Sequence, residues 1–126
     1  MKLSNLLLLN AVIALVFGIG FLLIPGSALA MYGATPGPQI NLTGQFFAVE
    51  LIHVGVLAWL IRSVSDGLAQ RAIIVAGLVA NLVGLVVALI GTLTGVVNSF
   101  GWSAVVIYVV LALGYAYFQF VSPRPS

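Results

Sequence analysis

Glu50 and His53 are the two residues of this chain whose types and spacing suit them to chemistry. They stand three apart, so on a helix they share one face about one turn apart. A carboxylate and an imidazole placed in this way can share a proton, exchange one with a solute, or offer oxygen and nitrogen to a metal. The rest of the chain supplies little to help them. It has no Cys, which excludes disulfides, thiolate ligands and thiol catalysis, and its one other acid is Asp66. Gly91-Thr92-Leu93-Thr94-Gly95 is no phosphate loop, because it lies in an apolar stretch and carries no Lys. The serines sit near the ends of apolar stretches or in the tail, which leaves His53 without a hydroxyl nucleophile to activate.

What positions the pair is lipid. Four apolar stretches, at about 5–24, 40–61, 72–94 and 102–121, fill most of the chain. Each is long enough for a membrane-crossing helix, which needs about 20 residues at 1.5 Å rise. Of the 126 residues, 63% are hydrophobic and only 5% charged, where a soluble domain carries about 25% charged residues. Mean hydropathy is +1.28. The pattern predicts an all-α fold: a four-transmembrane-helix bundle with antiparallel neighbours, making one integral-membrane domain over residues 1–126. The net charge of +2 rests on six charged residues and gives no reason to expect a nucleic-acid partner. Lys2, the first apolar run and Ala28-Leu29-Ala30 mimic a signal peptide. The run exceeds the 7–15 residues of a signal core, however, and is read as a retained span.

Basic residues set the expected orientation. Lys2 precedes the first stretch, Arg62 and Arg71 flank the connection between the second and third, and Arg124 follows the fourth. The other two loops have no Lys or Arg. The positive-inside rule then puts both termini and the middle loop in the cytoplasm. The outer loop 25–39 holds three Gly and three Pro, too broken for a long helix, with a short interfacial turn expected at Ser27–Tyr32. Asp66 in Ser65-Asp66-Gly67 is expected to be a turn or cap residue. Pro123 and Pro125 are expected to end the last helix. Trp59 and Trp102, toward span ends, suit interfacial anchoring.

Helices in lipid associate by close backbone approach through small residues. In the third stretch Gly77, Asn81, Gly84, Ala88, Gly91 and Gly95 recur at spacings of four and three, which puts them on one stripe. This predicts a tight seam with Asn81 buried in it as interhelical glue. Asn10, Ala14 and Gly18 give the first stretch a similar face, and Gly44, Ala48, Gly55 and Ala58 do so for the second. Asn10 and Asn81 need partners, because an unpaired amide in hydrocarbon costs several kcal/mol.

On a helical wheel Glu50 and His53 lie away from Gly44, Ala48 and Gly55, so the polar pair and the small stripe face different neighbours. An ionised carboxylate at mid-bilayer costs a few kcal/mol on insertion scales. Three arrangements relieve it: protonation of Glu50 under desolvation, pairing with His53, or a polar cavity or ion. The fourth stretch is one expected cover, with Tyr108, Tyr115 and Gln119 on one face; another subunit is the alternative. Glu-x-x-His is also the spacing used in di-iron carboxylate bundles, but those need two such motifs and two further carboxylates. One chain cannot complete a metal site, although two copies bring two Glu and two His. His53 is a candidate axial ligand for a haem or a chlorophyll-type pigment, with Gly55 and Ala58 nearby to admit a flat ring, but the residues alone call for no cofactor.

The layout resembles the small four-helix bacterial inner-membrane proteins of the DoxX-like type and related uncharacterised families. The resemblance runs through Leu23-Ile24-Pro25, Met31-Tyr32-Gly33, Leu57-Ala58-Trp59-Leu60 and Val97-Asn98-Ser99-Phe100-Gly101-Trp102-Ser103. It implies a bacterial cytoplasmic (inner) membrane location and transfers no catalytic residue. In that family small or aliphatic residues are usual where Glu50 and His53 stand, which marks the pair as a specialised contact. The leading expectation is a non-catalytic accessory or assembly subunit of a larger membrane complex, or a homo-oligomer. A second is a proton-coupled carrier of small solutes using Glu50. Small multidrug transporters resemble the chain in size and span number, but their glutamate lies in the first span. A third is a haem-, pigment- or quinone-binding redox subunit using His53.

Overall fold

The computed structural model describes residues 1–122. Pro123, Arg124 and Pro125, expected to close the last helix and add a cytoplasmic charge, lie outside the described residues. The described chain is helical: α1 (Leu3–Leu23), α2 (Pro25–Met31), α3 (Pro38–Ile61), α4 (Gly67–Leu93) and α5 (Gly101–Phe120). Four of these, all but α2, are long and apolar enough to cross a membrane. Their outer surfaces carry exposed Val16, Leu23, Phe46, Val87 and Phe120, the reverse of a water-soluble exterior.

Local chemistry sets the helix boundaries. Pro25 and Pro38 stand in the first turns of α2 and α3, where the missing N–H costs nothing. The chain breaks at Ile24 and turns into α2, a two-turn elbow where the sequence suggested only an interfacial turn. At that break the Gln45 side chain of α3 donates to the Leu22 carbonyl at 3.2 Å. Helix α4 begins at Gly67, earlier than the apolar run at Ala72, because Asp66 caps it: its carboxylate accepts from the Leu68 and Ala69 N–H groups. Helix α4 stops at Leu93, and Gly95 follows with a left-handed φ of 75°. The end of the expected small-residue stripe is therefore a helix terminator.

The helices form two hairpins, α1 with α3 and α4 with α5, and α1 also touches α5. Each seam runs antiparallel, because contact numbers fall on one helix as they rise on the other. Leu15 meets Gly55, Gly18 meets Ile52, and Phe21 meets Gly44. On the second hairpin Gly77 meets Tyr115 and Gly84 meets Tyr108. Between the hairpins, Leu6 of α1 lies on Gly114 of α5. The core gathers near one end of the bundle from Leu6, Leu7, Ala11, Ala58, Ile74, Leu111, Tyr115 and Phe118.

At the opposite end the loop before α3 and the loop before α5 clasp each other. The Asn98 backbone N–H donates to the Tyr32 carbonyl at 3.0 Å, and its side-chain amide donates to the Met31 carbonyl at 3.1 Å. Its side-chain oxygen accepts from the Phe100 N–H at 3.0 Å, and the Tyr32 and Phe100 rings meet edge to face at 4.9 Å. Gly33 turns with φ 87°, and a Cβ there would crowd Asn98. Replacing Asn98 with Ala removes both side-chain bonds while leaving the backbone bond. At about 1 kcal/mol each, the loss is about 2 kcal/mol, read as earlier unfolding in detergent. Gly33→Val, forced into an unfavourable φ, should cost a similar amount.

Candidate functional site

Helix α3 presents two opposite faces. Gly44, Ala48, Gly55 and Ala58 are buried, Gly44 against α1 and the α2 elbow and Gly55 against α1. A Cβ on Gly55 would lie 2.7 Å from a Leu15 side-chain carbon, so only glycine lets the backbones come this close. This close fit turns the other face outward, and Glu50 and His53 lie on it. Their side chains are 76% and 68% exposed, and His53 Nδ1 stands 3.6 Å from Glu50 Oε2. That is an ion-pair separation, too long for a hydrogen bond. Most of the hydrogen-bonding capacity of both groups therefore points away from the chain.

Glu50 sits at the midpoint of α3, with His53 about one turn further on. At 1.5 Å rise Glu50 lies about 17 Å from either helix end and His53 about 12 Å from the nearer one. If α3 crosses a bilayer, both groups are at the depth where charge is most costly, on a surface the chain leaves uncovered.

The expected shielding by the fourth span is not found. Tyr115 is 1% exposed and accepts a 2.6 Å hydrogen bond from the Asn10 side-chain amide across the α1–α5 contact. Tyr108 lies with its ring over Gly84. Gln119 is half-buried on α5. The reason is helix order: α5 packs on α4 and α1, while α3 packs on α1 and α2, which leaves Glu50 and His53 exposed.

The predicted packing residues fall into place unevenly. Asn10, Ala14 and Gly18 are buried on α1, Asn10 toward α5 and Gly18 toward α3. Gly77 and Gly84 receive tyrosine rings, which makes α4–α5 a ring-on-glycine seam. Asn81 is 7% exposed, but its amide donates to the Gly77 carbonyl one turn back at 2.7 Å, and so serves its own helix instead of joining two. Ala88 is half-buried, and nothing stands within 4 Å of a Cβ built on Gly91, so Gly91 faces off the seam, which continues where Thr92 of α4 meets Gly101 of α5.

Two features escaped the sequence reading. One is the Asn98 clasp, whose pieces Met31-Tyr32-Gly33 and Val97–Ser103 were visible as motifs but not as neighbours. The other is an apolar recess of about 270 Å³ between α1 and the elbow, lined by Phe17, Gly20, Phe21, Ala28, Tyr32 and Phe100 among others. At the far end Arg62 lies 4.0 Å over the Trp59 ring, a cation–π contact that fixes the tryptophan at the helix end.

For metal or cofactor binding, one chain offers Glu50 and His53. Among the described residues no group of three or more His, Cys, Asp or Glu gathers. The outward pair supplies two donors on an open face, and a fuller set needs a second polypeptide. The fold and this pair together define a helical protein with four helices able to cross a membrane and an acid–imidazole couple on its exterior. Comparison of the chain with protein-family models, with curated proteins and with solved structures gives no match.

Proposed function

We infer that the chain is a non-catalytic integral-membrane subunit that works by association, docking other membrane subunits or itself through the outward face of α3. The observation that carries this reading is the position of Glu50 and His53: mid-helix, exposed, and only loosely satisfied by each other. The two buried amides find partners inside the chain, Asn10 on Tyr115 and Asn81 on the Gly77 carbonyl. A polar pair left on the outside of a membrane span is costly against lipid and favourable against a partner's polar groups. The recess near α2 is almost wholly apolar.

Positive charge at Lys2, Arg62 and Arg71 supports an arrangement with both termini and the 62–66 turn facing the cytoplasm, in a bacterial inner membrane. Purification from native membranes in mild detergent, with the partners identified by mass spectrometry, tests the reading. The expected result is a stable assembly that Glu50→Leu with His53→Leu disperses. A lone monomer, unchanged by that double substitution, would remove the proposal.

A further inference from the structure

The outward face of α3 carries more than a polar pair. Thr43, Phe46, Glu50, His53, Leu57 and Leu60 follow one another at spacings of three, four, three, four and three, and all six are exposed. This is the a/d repeat of a left-handed helix pair, sustained through the apolar body of α3. The buried stripe Gly44, Ala48, Gly55 and Ala58 follows a different course on the opposite side, so the seam is unused by the chain's own fold.

We propose that this seam is the contact for a second copy of the same chain, α3 against α3 about a two-fold axis along the membrane normal. This rests on the association reading above and adds the occupant. Charge complementarity selects this occupant. A two-fold contact is isologous, so a patch that meets itself must carry its own complement. Here it does. In a parallel heptad pair each a-type side chain enters a hole bordered by the partner's neighbouring d-type residues. Glu50 of one copy then reaches the partner subunit's His53, and His53 reaches the partner subunit's Glu50. The two 3.6 Å intrahelical pairs become a cluster of two carboxylates and two imidazoles, in which like groups face each other across the axis and each carboxylate is flanked by the imidazoles one turn along. Lys2, Arg62 and Arg71 all fall on one side of the spans, which favours one insertion direction for every copy, as the parallel arrangement requires. A foreign helix would need a matching pair of its own at the same depth. Phe46 on one side of the cluster and Leu57 and Leu60 on the other exclude lipid from it.

Single cysteines test this on the full chain, which has none of its own. In native membranes under mild oxidation, Phe46→Cys and Leu57→Cys should each give a disulfide-linked dimer. Val86→Cys, exposed on α4, should not. In liposomes at fixed protein-to-lipid ratio, Glu50→Leu should lower dimer affinity at least tenfold. The exchange variant carrying Glu50→His and His53→Glu, which keeps the patch self-complementary, should recover most of it. No cross-link at either seam position, or a dimer indifferent to Glu50→Leu, overturns the proposal. Cross-linking of Phe46→Cys to a different polypeptide also overturns it, while leaving the association reading in place. A monomer with no partner of either kind removes both.

Discussion

Leucine in place of Gly77 should be the most damaging single change in the bundle. A Cβ at this position would stand 2.6 Å from Tyr115 Cζ and 2.7 Å from both neighbouring ring carbons. The ring cannot retreat, because Tyr115 is 1% exposed and holds Asn10 from the other side. Helix α4 has its main contact with α5, so prising this seam apart releases α4 from the fold. Overpacking of this kind reaches about 3 kcal/mol or more. Unfolding in mixed detergent and SDS, followed by helical circular dichroism, should move to much lower SDS. The same substitution at Gly84 should be milder, because Tyr108 is only half-buried and its ring can swing aside. Gly91→Ala supplies the control: nothing stands within 4 Å of the added methyl. The helical preference for Ala over Gly then makes this change neutral or stabilising by up to about 1 kcal/mol. Equal curves for Gly77→Leu and Gly91→Ala would show that α4 and α5 do not meet here.

The contrast between these glycines marks how far the sequence could be read. Hydropathy placed the four long helices within a few residues, because lipid imposes length and apolarity on each one separately. Where prediction and structure part, a local polar group decides: Asp66 starts α4 before the apolar run does, and Gly95 ends it before the small-residue stripe does. The stripe itself was legible as a surface of close approach, but not what would fill it. Tyrosine rings took the space over Gly77 and Gly84, and Asn81 turned to its own helix. Glu50 and His53 were legible as a face distinct from Gly44, Ala48 and Gly55, since that follows from helix geometry alone. Which helix would cover that face did not follow, because periodicity fixes a helix's faces and is silent on the order of helices around a bundle. Tyr115 went to Asn10 because α5 lies against α1, and the pair stayed uncovered for the same reason. Contacts between distant loops, such as Asn98 with Met31 and Tyr32, leave no periodic trace at all.

Removing the hydroxyl from Tyr115 should destabilise the bundle far more than one oxygen atom's volume suggests. Tyr115→Phe leaves the Asn10 amide, 8% exposed, without its 2.6 Å acceptor in an apolar contact. A buried group stripped of its partner costs about 1–3 kcal/mol, whereas the net value of a bond between membrane helices averages only about 0.6. The difference between those figures gives the experiment its force. Asn10→Leu keeps the branching of the side chain and removes its polarity, but strands the phenol instead. Combining the two removes both polar groups together, and the α1–α5 contact becomes wholly apolar. The double variant should therefore be more stable than either single one, approaching the parent chain, with a coupling of about 1 kcal/mol or more between the two sites. Simple additivity in the same SDS titration would mean that Asn10 and Tyr115 are not bonded in the folded protein. The bundle would then lack the polar tie that joins its two hairpins at this depth, and the Asn10 amide would be as loosely satisfied as the exposed pair on α3.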